Sequence, residues 1–167
     1  MTGRAVWQMK TEDQKQTRLY KLMQKLGFED YDLFYKQSIQ NISWFWHEVV
    51  QDMGIHWFQP YNKVLDLSKG VMWPSWFLGG KLNIVCSALD KWSGETDSSD
   101  RPALRWEGED EAVKVYTYQE LSRKVSSAAK GLLRLGVKKG DRVAIYMPMI
   151  PETVIAMLAC AKIGAIF

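Results

Sequence analysis

The 32 residues GVKKGDRVAIYMPMIPETVIAMLACAKIGAIF, residues 136–167, decide how the rest of the chain is read. Gly136 and the turn VKKGD lead into the apolar run Arg142–Met147, the length and composition of a buried strand. Pro151 suits the first position of a helix, and Glu152 complements the positive end of its dipole. Ile155, Met157, Leu158 and Ala161 carry that helix to Ile163, with Gly164 as its left-handed stop and Ala165–Phe167 opening another strand. Strand, helix, strand is the rhythm of a parallel sheet with a right-handed crossover. The expected fold is therefore α/β: an incomplete parallel sheet with a βαβ crossover, preceded by a helical, tryptophan-rich N-terminal extension.

Immediately upstream, Ala103–Trp106 and Ala112–Tyr118 read as strands joined by the acidic turn EGEDE, a hairpin. Thr117 and Glu120 form a capping box. Leu121, Val125, Ala128, Ala129, Leu132, Leu133 and Leu135 then line one face of a helix that stops at Gly136. Leu121, Val125, Leu132 and Leu133 are expected to be buried.

The polar run KWSGETDSSDRP, residues 91–102, is the best candidate boundary. It divides the chain into an N-terminal helix at 1–30, the extension at 31–100, and the start of a second domain at 101–167. In the first part, Thr11 and Gln14 suggest a capping box, and Leu19, Leu22, Met23 and Leu26 a single helix over residues 12–26. Asp32 is placed as the cap of a helix through Gln40, and Ser43 as the cap of another through Met53, stopped by Gly54. Residues 55–82 lose any period and read as a wrap pinned by tryptophans. Five of the eight tryptophans fall between Trp44 and Trp76, and large indoles grouped in this way are read first as packing.

Composition excludes several functions. With 167 residues the chain is about one domain long, and its 47% apolar and 25% charged residues are those of a folded globular chain. A formal charge of +3 demands no polyanionic partner. The six basic and two acidic side chains of residues 1–27 read as a solvated helix face. Val143–Phe167 is too interrupted to span a bilayer. Cys86 and Cys160 make no CxxC pair, and a reducing cytoplasm is the expected compartment. His47 and His56 lack further ligands at metal spacing.

No phosphate-loop, GxGxxG or GxSxG motif is present, and GGKLN at 79–83 has a lysine but no upstream glycine. Glu107, Glu109, Asp110 and Glu111 read as a solvated hairpin tip. Arg123, Lys124, Lys130, Arg134, Lys138, Lys139 and Arg142 lack the interleaved aromatics of a nucleic-acid surface. Neither nucleic acid nor membrane is an expected partner.

Three stretches together, WFLGGKLNIVCSALDKW, RWEGEDEAVKVYTYQEL and residues 136–167, resemble the N-terminal portion of AMP-forming acetyl-CoA and related acyl-CoA synthetases. YTYQEL at 116–121 is similar to the first core motif of adenylate-forming enzymes, and MLACAKIGAIF at 157–167 to the beginning of the second. Residues 31–90 resemble the tryptophan-rich extension of the acetyl-CoA synthetase branch, with Trp76, Gly79, Gly80, Leu82, Asn83 and Asp90 at matching positions. Ser87 stands where that family usually has Asn, and Trp92 where it often has His.

The resemblance implies a two-step reaction: a carboxylate and ATP give an acyl-adenylate and pyrophosphate, and CoA then displaces AMP. ATP, Mg²⁺ and CoA are thus implied for the family enzyme. The family's phosphate loop, ribose-binding acid, hinge and adenylation lysine have no counterpart here. No catalytic, cofactor-binding or metal residue is therefore assigned; the expectation is an N-terminal fragment inactive alone, with one chain of a split acyl-CoA ligase or a non-catalytic interaction module as the alternatives, and with self-association or a complementary chain as the expected partner.

Overall fold

The computed structural model describes residues 9–94 and 98–167, which fall into two compact units. One takes in the chain up to Gly54 together with Asn62–Leu78; the other is Ile55–Tyr61 with Gly79–Phe167. The proposed boundary at 91–102 is thus not where compactness divides the chain, and its residues 95–97, like the first eight residues, lie outside the description.

In the first unit the expected helix 12–26 is two helices, α1 (Thr11–Gln16) and α2 (Arg18–Lys25). Thr17 separates them with extended backbone, ψ 148°, and its hydroxyl accepts from the Tyr20 N–H to cap α2. The better capping residue lies inside the predicted helix and ends it. Thr11 is already helical, and Gln14 donates its amide to the Met9 carbonyl, so no capping box forms there.

The next two caps also differ from expectation. Asp30, not Asp32, accepts from Leu33 N–H at 2.8 Å to begin α3 (Tyr31–Gln40). Asn41, not Ser43, accepts from Trp44 N–H at 3.0 Å to begin α4 (Ile42–Asp52). In each case the shift places the capping side chain just before the first helical residue, where it reaches the third N–H.

Leu22, Met23 and Phe34 form the core of this unit, with Phe28, Trp44 and Phe45 packed around them. Residues 63–78 do not wrap aperiodically. They form an antiparallel hairpin, β1 (Lys63–Asp66) and β2 (Ser75–Leu78), with Leu65 opposite Trp76. Trp46 and Trp76 meet edge to face at 6.1 Å, whereas Trp73 is 73% exposed, so packing does not explain every tryptophan.

The second unit carries the sequence-predicted hairpin, β3 (Pro102–Glu107) antiparallel to β4 (Val113–Thr117). Thr117 and Glu120 close the capping box of α6 (Tyr118–Arg134) in both directions. Leu121, Val125 and Ala129 are buried, but Leu132 is only partly buried, and Leu133 and Leu135 are 53% and 83% exposed. The apolar stripe rotates away from the core over the last turn. Leu135 is the C-cap, followed by Gly136 at φ +90°.

α7 (Pro151–Ile163) runs as expected, with Pro151 in its first turn and Gly164 at φ +75°. The run Arg142–Met147 is not a strand. Its ladder is a single parallel bridge, Arg142 to Ile166, with Val143 N–H donating to Ile166 O and Ile166 N–H to Asp141 O, each at 2.8 Å. Val143 and Ile145 are half-buried and Ala144 is exposed, so burial alternates instead of covering both faces. The described β structure is two small antiparallel sheets in a mixed helix and strand fold.

Candidate functional site

The most concentrated polar site lies where residues 83–90 meet α6 and α7. After the bridge between Gln59 and Lys81, the chain turns into a π-turn, Cys86–Asp90, continued by the short α5 (Lys91–Ser93). Val85, just before this turn, and Leu89 within it, with Leu121 and Val125 on α6, form the buried core of the unit. Ala103, Tyr116, Ile155, Leu158 and Ala161 pack against it.

Around that core, polar groups tie the elements together. Asn83 donates through Nδ2 to the carbonyls of Ala161 and Lys162, each at 3.0 Å, and accepts through Oδ1 from Val85 N–H at 3.0 Å. One side chain thereby satisfies carbonyls at the end of α7 and an N–H at the start of the next turn. Helix ends leave such groups unpaired, so a cap supplied from 78 positions away fixes two elements together.

Lys162 Nζ lies 2.8 and 3.0 Å from the two oxygens of Asp90, and Ser122 Oγ donates to Asp90 Oδ1 at 3.3 Å. Lys162 and Asp90 keep 28% and 33% side-chain exposure, so the pair is partly shielded from screening. Chemically this is a latch between neutralised charges, with no free base or nucleophile.

The two positions where the sequence departs from the resembled family also belong to this turn. Ser87 is buried, and its hydroxyl accepts from His56 N–H at 3.0 Å. Trp92 lies against Tyr118, with Lys91 Nζ 4.6 Å from its ring centre. Its contacts are aromatic and cation–π.

Among the described residues, no three His, Cys, Asp or Glu side chains come together to hold a metal ion. The residues present do not fit Mg²⁺ ligation, and no step through Mg²⁺ follows from them. His47 and His56 are both exposed, and His56 packs edge to face on Phe58. Glu107, Glu109, Asp110 and Glu111 are exposed on the β3–β4 turn, where Asp110 accepts from Ala112 N–H. In GGKLN, the Lys81 backbone is occupied by pairing with Gln59.

Among the described residues, the helices of eight or more residues offer phosphate no prepared cradle either. The N-termini of α2, α3, α4 and α6 are already occupied by Thr17, Asp30, Asn41 and Thr117, and α7 places the Glu152 carboxylate in its first turn. All seven basic residues from Arg123 to Arg142 are exposed; Arg123 bonds Gln119 and Lys124 lies over Tyr116. Burial pushes the Cys160 thiol above its ordinary value, the opposite of an activated nucleophile. No helix of the described residues is long and apolar enough to cross a membrane.

Two family models match the chain. The profile described as acetyl-coenzyme A synthetase N-terminus matches residues 31–88, and that described as AMP-binding enzyme matches 91–167. The chain is 47% identical over 137 residues to the acetyl-coenzyme A synthetase of Deinococcus radiodurans, covering 82% of this chain and 20% of that protein. It is 45% identical over 141 residues to that of Escherichia coli K12, covering 83% and 21%. The solved acetoacetyl-CoA synthetase from Streptomyces lividans superposes with a TM-score of 0.83 at 30% identity, over 98% of this chain and 26% of that one.

The chain belongs to the AMP-forming acyl-CoA synthetases, as an N-terminal portion of such an enzyme. It spans about a fifth of the length of the curated relatives it matches. Within that family the similarity is to acetyl-CoA synthetases in sequence and to an acetoacetyl-CoA synthetase in structure. Of the matching positions read from sequence, Asn83 and Asp90 are brought together with α7. Lys162 and Ser122, their partners, carried no signal in the sequence, because a lysine late in a helix reads as dipole complement and a mid-helix serine as surface.

Proposed function

We propose that this chain supplies the N-terminal extension and the opening of the AMP-binding domain of an ATP-dependent acetyl-CoA-like synthetase. The enzyme joins a small carboxylate to AMP with release of pyrophosphate, and the CoA thiol then displaces AMP to form the thioester. The observation that carries this reading is that both family profiles match in adjacent order along one chain.

On this reading the chain contributes scaffold. Asn83 and the Asp90–Lys162 pair hold residues 83–90 against α7, and no residue of this chain touches the reacting atoms. In the complete enzyme Arg142–Met147 and the segment from Ala165 would extend into neighbouring parallel strands, with α7 as their right-handed crossover; the single parallel bridge at Arg142 supports that arrangement. ATP, Mg²⁺ and CoA bind groups contributed by other parts of the enzyme, and the chain works in the cytoplasm. Alone it is inactive, and it covers its apolar surface by self-association or with a complementary chain.

Acid-dependent ATP–pyrophosphate exchange tests this. The expected result is no exchange by the purified chain with acetate or propionate, and exchange when the same residues are followed by the remainder of a related synthetase. Exchange by the 167 residues alone overturns the scaffold reading, and its absence from the completed chain overturns the assignment of activity.

A further inference from the structure

We draw no further inference here: the strongest candidate, the surface patch at the C-terminal end of α6 where the exposed Leu133 and Leu135 stand among Lys130, Arg134, Lys138 and Lys139, carries nothing because nothing in the structure shows what covers it.

Discussion

Replacing Asn83 by alanine removes three hydrogen bonds at once, two to carbonyls at the end of α7 and one from Val85 N–H. Their loss is unequal. Ala161 O still accepts from Gly164 N–H at 3.1 Å, so it keeps a partner. Lys162 O and Val85 N–H each lose the bond that Asn83 supplied in a partly buried setting, where a net hydrogen bond contributes about 0.5–1.5 kcal/mol and an abandoned group costs about 1–3 kcal/mol. Partial access to water lowers the upper figure, and the expected destabilisation is about 1.5–3 kcal/mol. Urea unfolding should show the midpoint falling with an unchanged slope, since the surface exposed on unfolding is the same. Hydrogen exchange should accelerate first at residues 160–166. Asn83→Asp sharpens the test: it keeps the acceptor for Val85 but sets a negative charge against the negative end of α7, so it should destabilise at least as much as alanine at neutral pH. A loss below about 0.5 kcal/mol, the range of an ordinary surface change, or an aspartate variant as stable as the parent, would refute the cap.

Three further outcomes follow from the same unit. Thr117→Ala should cost about 0.5–2 kcal/mol by removing the α6 cap, read as a fall in thermal midpoint. Leu89→Ala, almost fully buried in the core, should cost about 2–5 kcal/mol, whereas Leu135→Ala at an exposed C-cap should stay within about 0.5 kcal/mol; denaturant titration separates them. Because burial raises the Cys160 pKa, its contribution to stability is fully present below the unfolded thiol's value of about 8.5 and is lost as pH rises through the folded value. Alkylation should label the half-buried Cys86 before the buried Cys160, and equal rates would contradict the buried environment.

What could be read from sequence was local chemistry acting within a few residues. The capping box Thr117–Glu120, the β3–β4 hairpin, Pro151 at the start of α7 and Gly164 at its end each depend on neighbours in the chain, and each stands as read. The misplaced caps at Asp32 and Ser43 erred by two residues because two adjacent polar candidates compete and packing of Phe34 and Trp44 selects between them. Hairpin β1–β2 went unread because Pro74 and the glycines around it mask short strands whose register depends on pairing, Leu65 against Trp76. The burial of Leu133 was overestimated for a related reason: periodicity gives a helix its face but not the length of the surface that covers it.

The polar latch lies beyond what spacing can disclose, since Asn83 and Asp90 are separated from Lys162 by more than seventy positions. Its arrangement also explains why the two profile matches, ending at 88 and beginning at 91, do not mark a structural seam. Val85 and Leu89, from the end of the extension, are buried with Leu121 and Val125 from the domain that follows, and Asp90 binds a lysine on its second helix. A cut between the two profile segments would separate Val85 and Leu89 from the core they complete, leave Leu121 and Val125 uncovered, and strip the end of α7 of its distant cap. Burial of a single large aliphatic side chain contributes roughly 1.5–3 kcal/mol, so separating these four residues removes a large share of the 5–15 kcal/mol typical of a whole domain. Residues 83–90 are therefore structural members of the compact unit that holds α6 and α7, and the smallest stable unit begins before Asn83 rather than at residue 91.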